Sequence, residues 1–152
     1  MILQKGHYAL FDCAYQGFAS GDLDRDASAV REFIRRGVPM LICQSFAKNA
    51  GLYGERTGAL HIVTSSPVVA DRVRSQLSVL SRSEISNPPA HGARLVALIL
   101  NTPELFEQWK EDIKTMAGRI IKMREELYRL LTEEFKTPGS WNHIVDQIGM
   151  FR

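Results

Sequence analysis

The sequence predicts an α/β fold: a mostly parallel sheet with covering helices. Three observations carry that expectation. Short apolar runs alternate with stretches of helical periodicity. The runs are continuously apolar rather than alternating, which is the pattern of strands buried on both faces. Helix punctuation falls where the periodicity changes, with Ser-Pro or Thr-Pro at a start and Gly at an end.

Each element follows in order. "HYALFDCAYQ" reads as a first strand that breaks at Asp12. "DRDASAVREFIRRG" places Ala27, Val30, Phe33 and Ile34 on one helical face, and Gly37 is positioned to end the helix. "PMLICQSF" and "GALHIVT" are the second and third strands. "SPVVADRVRSQLSVL" opens on Ser66 as N-cap with Pro67 at the first helical position, and its stripe is Val69, Val73, Leu77 and Leu80. "NPPAHGA" breaks the chain, and another helix begins near Ala93. Thr102 and Pro103 then start a long amphipathic helix. Its stripe runs from Leu105 through Trp109, Ile113, Met116, Ile120, Met123 and Leu127 to Leu130, and is expected to pack on the body of the protein rather than form a coiled coil. "SWNHIVDQIGMFR" reads as the opening of a further strand. Such a sheet lacks neighbours at its edges, and raw edges invite association.

Composition narrows the class. The chain has 152 residues, 45% hydrophobic and 24% charged, enough for one domain with a core. A net charge of +2 with no basic block gives no nucleic-acid footprint. No apolar run reaches membrane-spanning length, and no signal peptide opens the chain. A cytoplasmic protein is expected, with an organellar form left open. Cys13 and Cys43 sit in strand-like runs and read as reduced core thiols. His7, His61, His91 and His143 are scattered, so no metal site is expected.

Ligands in α/β sheets sit at the C-terminal ends of parallel strands. Asp12 and Tyr15 fall at the end of the first strand, Ser45 and Lys48 at the end of the second, and Arg56 before the third. A desolvated lysine can present a neutral amine to an aldehyde. Ala47, Ala50, Gly51 and Gly54 leave room beside it for a flat ring. Ser45 and Arg56 can hold a phosphate, Asp12 a ring nitrogen, and Tyr15 a ring oxygen. Those are the groups pyridoxal phosphate requires. Plainer readings stand beside this one. Lys48 can be a solvated loop lysine, Asp12 a turn residue, Tyr15 a half-buried aromatic, and Arg56 a partner of Glu55. "SFAK" also fits the Ser-x-x-Lys of serine acyl-transfer enzymes, without the further motifs that chemistry needs.

"FDCAYQGFASGDLDRDA", "QSFAKNAGLYGERTGAL", "ISNPPAHGARLV" and "TPGSWNHIVDQIGMF" together resemble the eukaryotic-type aspartate aminotransferase family, from Tyr8 to Phe151 and with the spacings between motifs. The resemblance implies a fold-type-I pyridoxal 5'-phosphate enzyme, usually a homodimer. It implies that residues 1–100 are the later part of the cofactor-binding large domain, 101–136 a long connecting helix, and 137–152 the start of a small domain. Lys48 resembles the lysine that captures the cofactor aldehyde and then acts as general base. Asp12 matches the aspartate on the pyridine nitrogen, Tyr15 the tyrosine on the ring oxygen, and Ser45 and Arg56 the phosphate ligands. Arg82 matches the arginine that reaches the neighbouring subunit's site and binds the distal carboxylate of a dicarboxylic substrate. The implied reaction exchanges an amino group between aspartate or glutamate and 2-oxoglutarate or oxaloacetate.

The resemblance covers only a middle-to-late segment of the family's chain. The family's glycine-containing phosphate loop, ring-stacking aromatic, second ring-oxygen ligand and α-carboxylate arginine have no match here. Each lost charge-assisted contact is worth about 1.5–3 kcal/mol, so weak or absent turnover is expected of this chain alone. The alternative is a truncated, non-catalytic homologue acting as a binding or self-association module.

Overall fold

The computed structural model of the chain describes residues 1–149. The end of the resemblance at Phe151 and of the segment 137–152 lies outside those residues. After a short helix α1, Ile2–Lys5, three strands form one sheet: β1 Ala9–Cys13, β2 Met40–Ser45 and β3 Gly58–Ile62. β1 and β2 are parallel, with Asp12 opposite Cys43. A parallel pair needs a crossover, and helices α2, Leu23–Asp26, and α3, Ser28–Arg35, provide it. β3 returns antiparallel to β2, with Ser45 opposite Gly58. The sheet is therefore mixed. Its topology gathers the exit of β1, the exit of β2 and the entry of β3 at one end.

Local chemistry accounts for the helices. The Asp22 carboxylate caps α2 by accepting the N–H groups of Asp24 and Arg25. The Arg25 and Asp24 amides hold its pKa below the ordinary carboxylate value. Phe33 of α3 meets Phe11 of β1 edge-on at 4.9 Å, which seats α3 on the Phe11 face of the sheet. On its outer side Glu32 braces Arg35 and Arg36, whose hydrogen bonds lower the Glu32 pKa to about 2. Helix α4, Pro67–Glu84, is capped by Ser66, whose Oγ accepts the Val69 N–H. Helix α5 spans His91–Asn101 and α6 spans Pro103–Arg129. Thr102 makes no side-chain cap bond at α6, contrary to expectation, and only its carbonyl engages, accepting from the Phe106 N–H.

The core centres on β2. Met40 and Ala117 are fully buried and Ile113 is 1% exposed, with Val38, Ile42, Phe46 and Val96 around them. Three expectations change at this point. β1 and β3 are not buried on both faces: Leu10 and Leu60 are 66% and 50% exposed. Burial is confined to the face shared with Phe11, on which α3 sits and where Met40 and Ile42 of β2 are enclosed. Cys43 shares the open face with Leu10 and Leu60 and is exposed rather than a core thiol. The α4 stripe buries nothing among the described residues, and Leu80 is 56% exposed.

The last segment also differs. His143–Asp146 forms a short helix, α7, in place of the expected strand opening. Arg124 of α6 explains it, because its guanidinium donates to the carbonyls of Ile144, His143 and Gln147. A cation at those carbonyls satisfies a helix C-terminus, not a strand edge. α6 itself stops at Arg129 and widens into a π-helical turn, Leu130–Glu134, before Lys136 takes a left-handed φ of 46°.

Candidate active site

The turn leaving β2 carries Lys48. Phe46 and Ala47 anchor it in the core. Ser45 Oγ accepts the Ala47 N–H at 3.2 Å, and the Gly51 N–H closes on the Lys48 carbonyl with Gly51 at a left-handed φ of 66°. Lys48 is half-buried, and its Nζ lies 5.2 Å from the centroid of the Tyr15 ring. That is cation–π range.

Tyr15 belongs to the loop leaving β1, which is pinned from two sides. Asp26 Oδ2 accepts the N–H groups of Gly17, Ala19 and Ser20, and Oδ1 accepts the Ser20 hydroxyl at 2.7 Å. Gly17 has φ 90°, and a Cβ there would sit 2.7 Å from Ile113 Cγ2 of α6. Only glycine satisfies both the conformation and the close approach. Gly149 closes in from the C-terminal segment, since a Cβ on it would lie 3.2 Å from Tyr15 Cε2.

Asp12 is exposed at the end of β1 and lines a cleft of about 370 Å³ with Tyr15, Gln16, Gln44 and His61. Cys13 lines it too, and its thiol pKa is raised, first by burial, then by the charges of Asp12 and Cys43. Of the predicted site residues, Asp12 and Tyr15 line this cleft; Lys48 is not among its lining residues and meets the Tyr15 ring.

Arg56 stands on the loop entering β3 at a left-handed φ of 51°. Its Nη1 donates to the Tyr53 carbonyl at 3.3 Å, not to Glu55. α5 braces that loop, because a Cβ on Gly92 would fall 1.9 Å from Thr57 Oγ1. Arg82 lies in the last turn of α4, donates to Ser86 Oγ at 2.7 Å, and lines a separate depression with Leu77 and Ser81. The structure thus joins Lys48 to Tyr15, Ser45 to the lysine turn and Asp12 to the tyrosine cleft. The hydrogen bonds of the two arginines lie elsewhere.

The family model for class I and II aminotransferases matches residues 1–152. The chain belongs to that family. It is 55% identical over 150 residues to the cytoplasmic aspartate aminotransferase of Schizosaccharomyces pombe, a match covering 99% of this chain and 36% of that protein. It is 50% identical over 151 residues to the mitochondrial aspartate aminotransferase P2 of Lupinus angustifolius, covering 99% of this chain and 33% of that one. The crystal structure of the broad-specificity aminotransferase from Leishmania mexicana superposes with a TM-score of 0.93 at 48% identity, over 98% of this chain and 37% of that one. The chain spans about a third of the length of the relatives it matches. The α/β fold is therefore that of an aminotransferase segment.

Three supports of this candidate site are missing from the sequence reading. Asp26 holds the Tyr15 loop, Asn49 is 2% exposed beside Lys48, and Trp109 Nε1 donates to the Asn49 carbonyl at 2.7 Å. Trp109 reads in sequence only as one more residue of an apolar stripe. The acid following a glycine-bounded loop is the signal that points to Asp26.

Proposed function

We propose that the strand-end cluster is the pyridoxal 5'-phosphate site of an aspartate aminotransferase, with the remaining contacts supplied by further aminotransferase segments and a second subunit. The observation that carries this reading is the Lys48 amine held over the Tyr15 ring at the sheet end where Asp12 opens on a cleft. The residues fit the group. An exposed carboxylate and a phenol line a cleft of about 370 Å³, a half-buried amine lies over that phenol's ring, a hydroxyl ends the neighbouring strand, and cofactor clefts run about 300–1,000 Å³. Bound there, the cofactor would supply an aldehyde that captures amines and a ring that accepts electron density from the substrate Cα.

The chain's own residues then have separable tasks. Asp12 keeps a positive charge on a facing ring nitrogen by ion pairing. The Tyr15 hydroxyl donates to a ring oxygen. Ser45 and Arg56 bind the phosphate, with Arg56 turning from the Tyr53 carbonyl to do so. Lys48, as a free amine, would be the base that takes and holds the proton of the substrate Cα. Arg82 binds the distal carboxylate of aspartate, glutamate or their 2-oxo acids in the site of a second subunit. The relatives' names support aspartate as donor, and the cytoplasmic one supports a cytoplasmic placement.

The open face of Leu10, Cys43 and Leu60 favours a second reading for the chain by itself, a non-catalytic binding or self-association module. An absorbance titration with pyridoxal phosphate separates the two. The catalytic reading expects a lysine-dependent band, absent in Lys48→Ala and bleached by aspartate. No band, together with concentration-dependent assembly in light scattering, overturns it in favour of the module.

A further inference from the structure

We propose that Asn49 is a positioning residue for the Lys48 amine, tying the lysine turn to the Tyr15 loop and to α6. The inference rests on the reading of Lys48 as the reacting amine. Asn49 follows Lys48 directly and, among the described residues, is the one buried polar side chain at 2% exposure. Its Nδ2 donates to the Gln16 carbonyl at 3.2 Å, one residue beyond the tyrosine whose ring carries the amine. Its own carbonyl accepts from Trp109 Nε1 at 2.7 Å. One residue therefore joins the segment bearing the amine, the segment bearing the ring, and the helix on which both rest.

Gln16 is itself fixed to the sheet. Its Nε2 donates to the Leu23 carbonyl at 3.2 Å, and its Oε1 accepts from Gln44 Nε2 at 2.9 Å. Gln44 Oε1 in turn meets His61 Nε2 at 2.9 Å. The chain of bonds crosses β2 and β3, so a displacement at Asn49 is felt against a rigid reference. Asn49 Oδ1 is buried and has no hydrogen-bond partner among the described residues. A buried amide with an unmet acceptor is a poor space-filler. Its placement makes sense as connection: the Nδ2 bond ties the lysine turn to the backbone just after Tyr15.

The test labels the full chain, free of cofactor, with an amine-reactive reagent and reads each lysine by peptide mass mapping. Lys122, exposed on α6, is the internal control. Asn49→Ala removes the bridge, and Trp109→Phe removes only the indole N–H while keeping an aromatic ring. Thermal melting is followed in parallel. The expected result is faster Lys48 labelling, by about two- to tenfold per lost hydrogen bond, with Lys122 unchanged. In chain loaded with pyridoxal phosphate, the pH midpoint of the lysine-dependent absorbance moves in the same variants. If melting falls while the Lys48-to-Lys122 ratio stays constant, Asn49 is packing only and the proposal is overturned. If Asn49→Ala does not fold, the ratio in Trp109→Phe decides alone. The labelling does not require the cofactor, so a parent chain that fails to bind pyridoxal phosphate overturns the functional reading and leaves this one to stand or fall by itself.

Discussion

Two apolar stretches of this chain end in opposite states. The turn from Phe46 to Gly51 closes on itself and on α6, with Phe46, Ala47 and Asn49 buried. Helix α4 runs 18 residues with none buried. The first region is anchored within the chain: Asn49 donates to the Gln16 carbonyl in the loop after β1 and accepts from Trp109 of α6. The second leaves Val69 and Leu80 of its stripe exposed and Val73 and Leu77 only half-buried. A chain spanning about a third of its relatives' length can thus hold a well-anchored turn beside an open helix face.

Substitutions can break or sharpen that contrast. The largest effect is expected at Met40, fully buried at the start of β2. Met40→Ala should cost about 2–5 kcal/mol in denaturant unfolding, and a loss near zero would mean the sheet core is not packed as described. Gly92→Ala comes next. Its Cβ would meet Thr57 and Glu55 on the Arg56 loop, so about 1–3 kcal/mol of overpacking is expected in the same assay. On α4, Leu80→Ser should change unfolding by less than about 0.5 kcal/mol in the chain alone. A larger loss would show that the stripe is already covered, by a second copy for instance, and sizing would reveal it.

Thiol labelling sharpens the comparison within the sheet. Burial and neighbouring charge raise the Cys13 pKa, so less thiolate is present at neutral pH, and Cys43 is exposed. Cys43 should therefore modify before Cys13 in a mass-resolved time course. The smallest effect concerns Glu32, which its two arginines lower to about 2. A depressed carboxylate contributes stability that is present above its unfolded pKa and lost as pH falls through the folded value. The parent and Glu32→Gln chains should thus differ above the ordinary carboxylate range and converge as pH approaches 2. The effect is small because the group is solvent-exposed.

Much of this was legible in residues alone. Ser66-Pro67 marks the start of α4, and the order of strands and helices follows the periodicity. Asp12, Ser45 and Arg56 stand at the strand ends, where α/β sheets commonly bind ligands. The misses share one cause, which is that burial is decided by what lies opposite. Leu10, Leu60, and Val69 and Leu80 of the α4 stripe have the composition of enclosed residues but stand exposed. α7 depends on Arg124, about twenty positions upstream, whose guanidinium satisfies its carbonyls. Asn49 and Trp109 meet across 60 positions, a pairing that no local window contains.

The central claim is that one amine, at residue 48, is singled out by its surroundings for capture by an aldehyde. Borohydride reduction of the chain mixed with pyridoxal phosphate, followed by peptide mass mapping, tests it most directly. The account predicts a phosphopyridoxyl mass on the Lys48 peptide well ahead of every other lysine, and its loss in Asp12→Ala, where the ring nitrogen is unpaired. Label spread evenly over the surface lysines, with none favoured at Lys48, would contradict it.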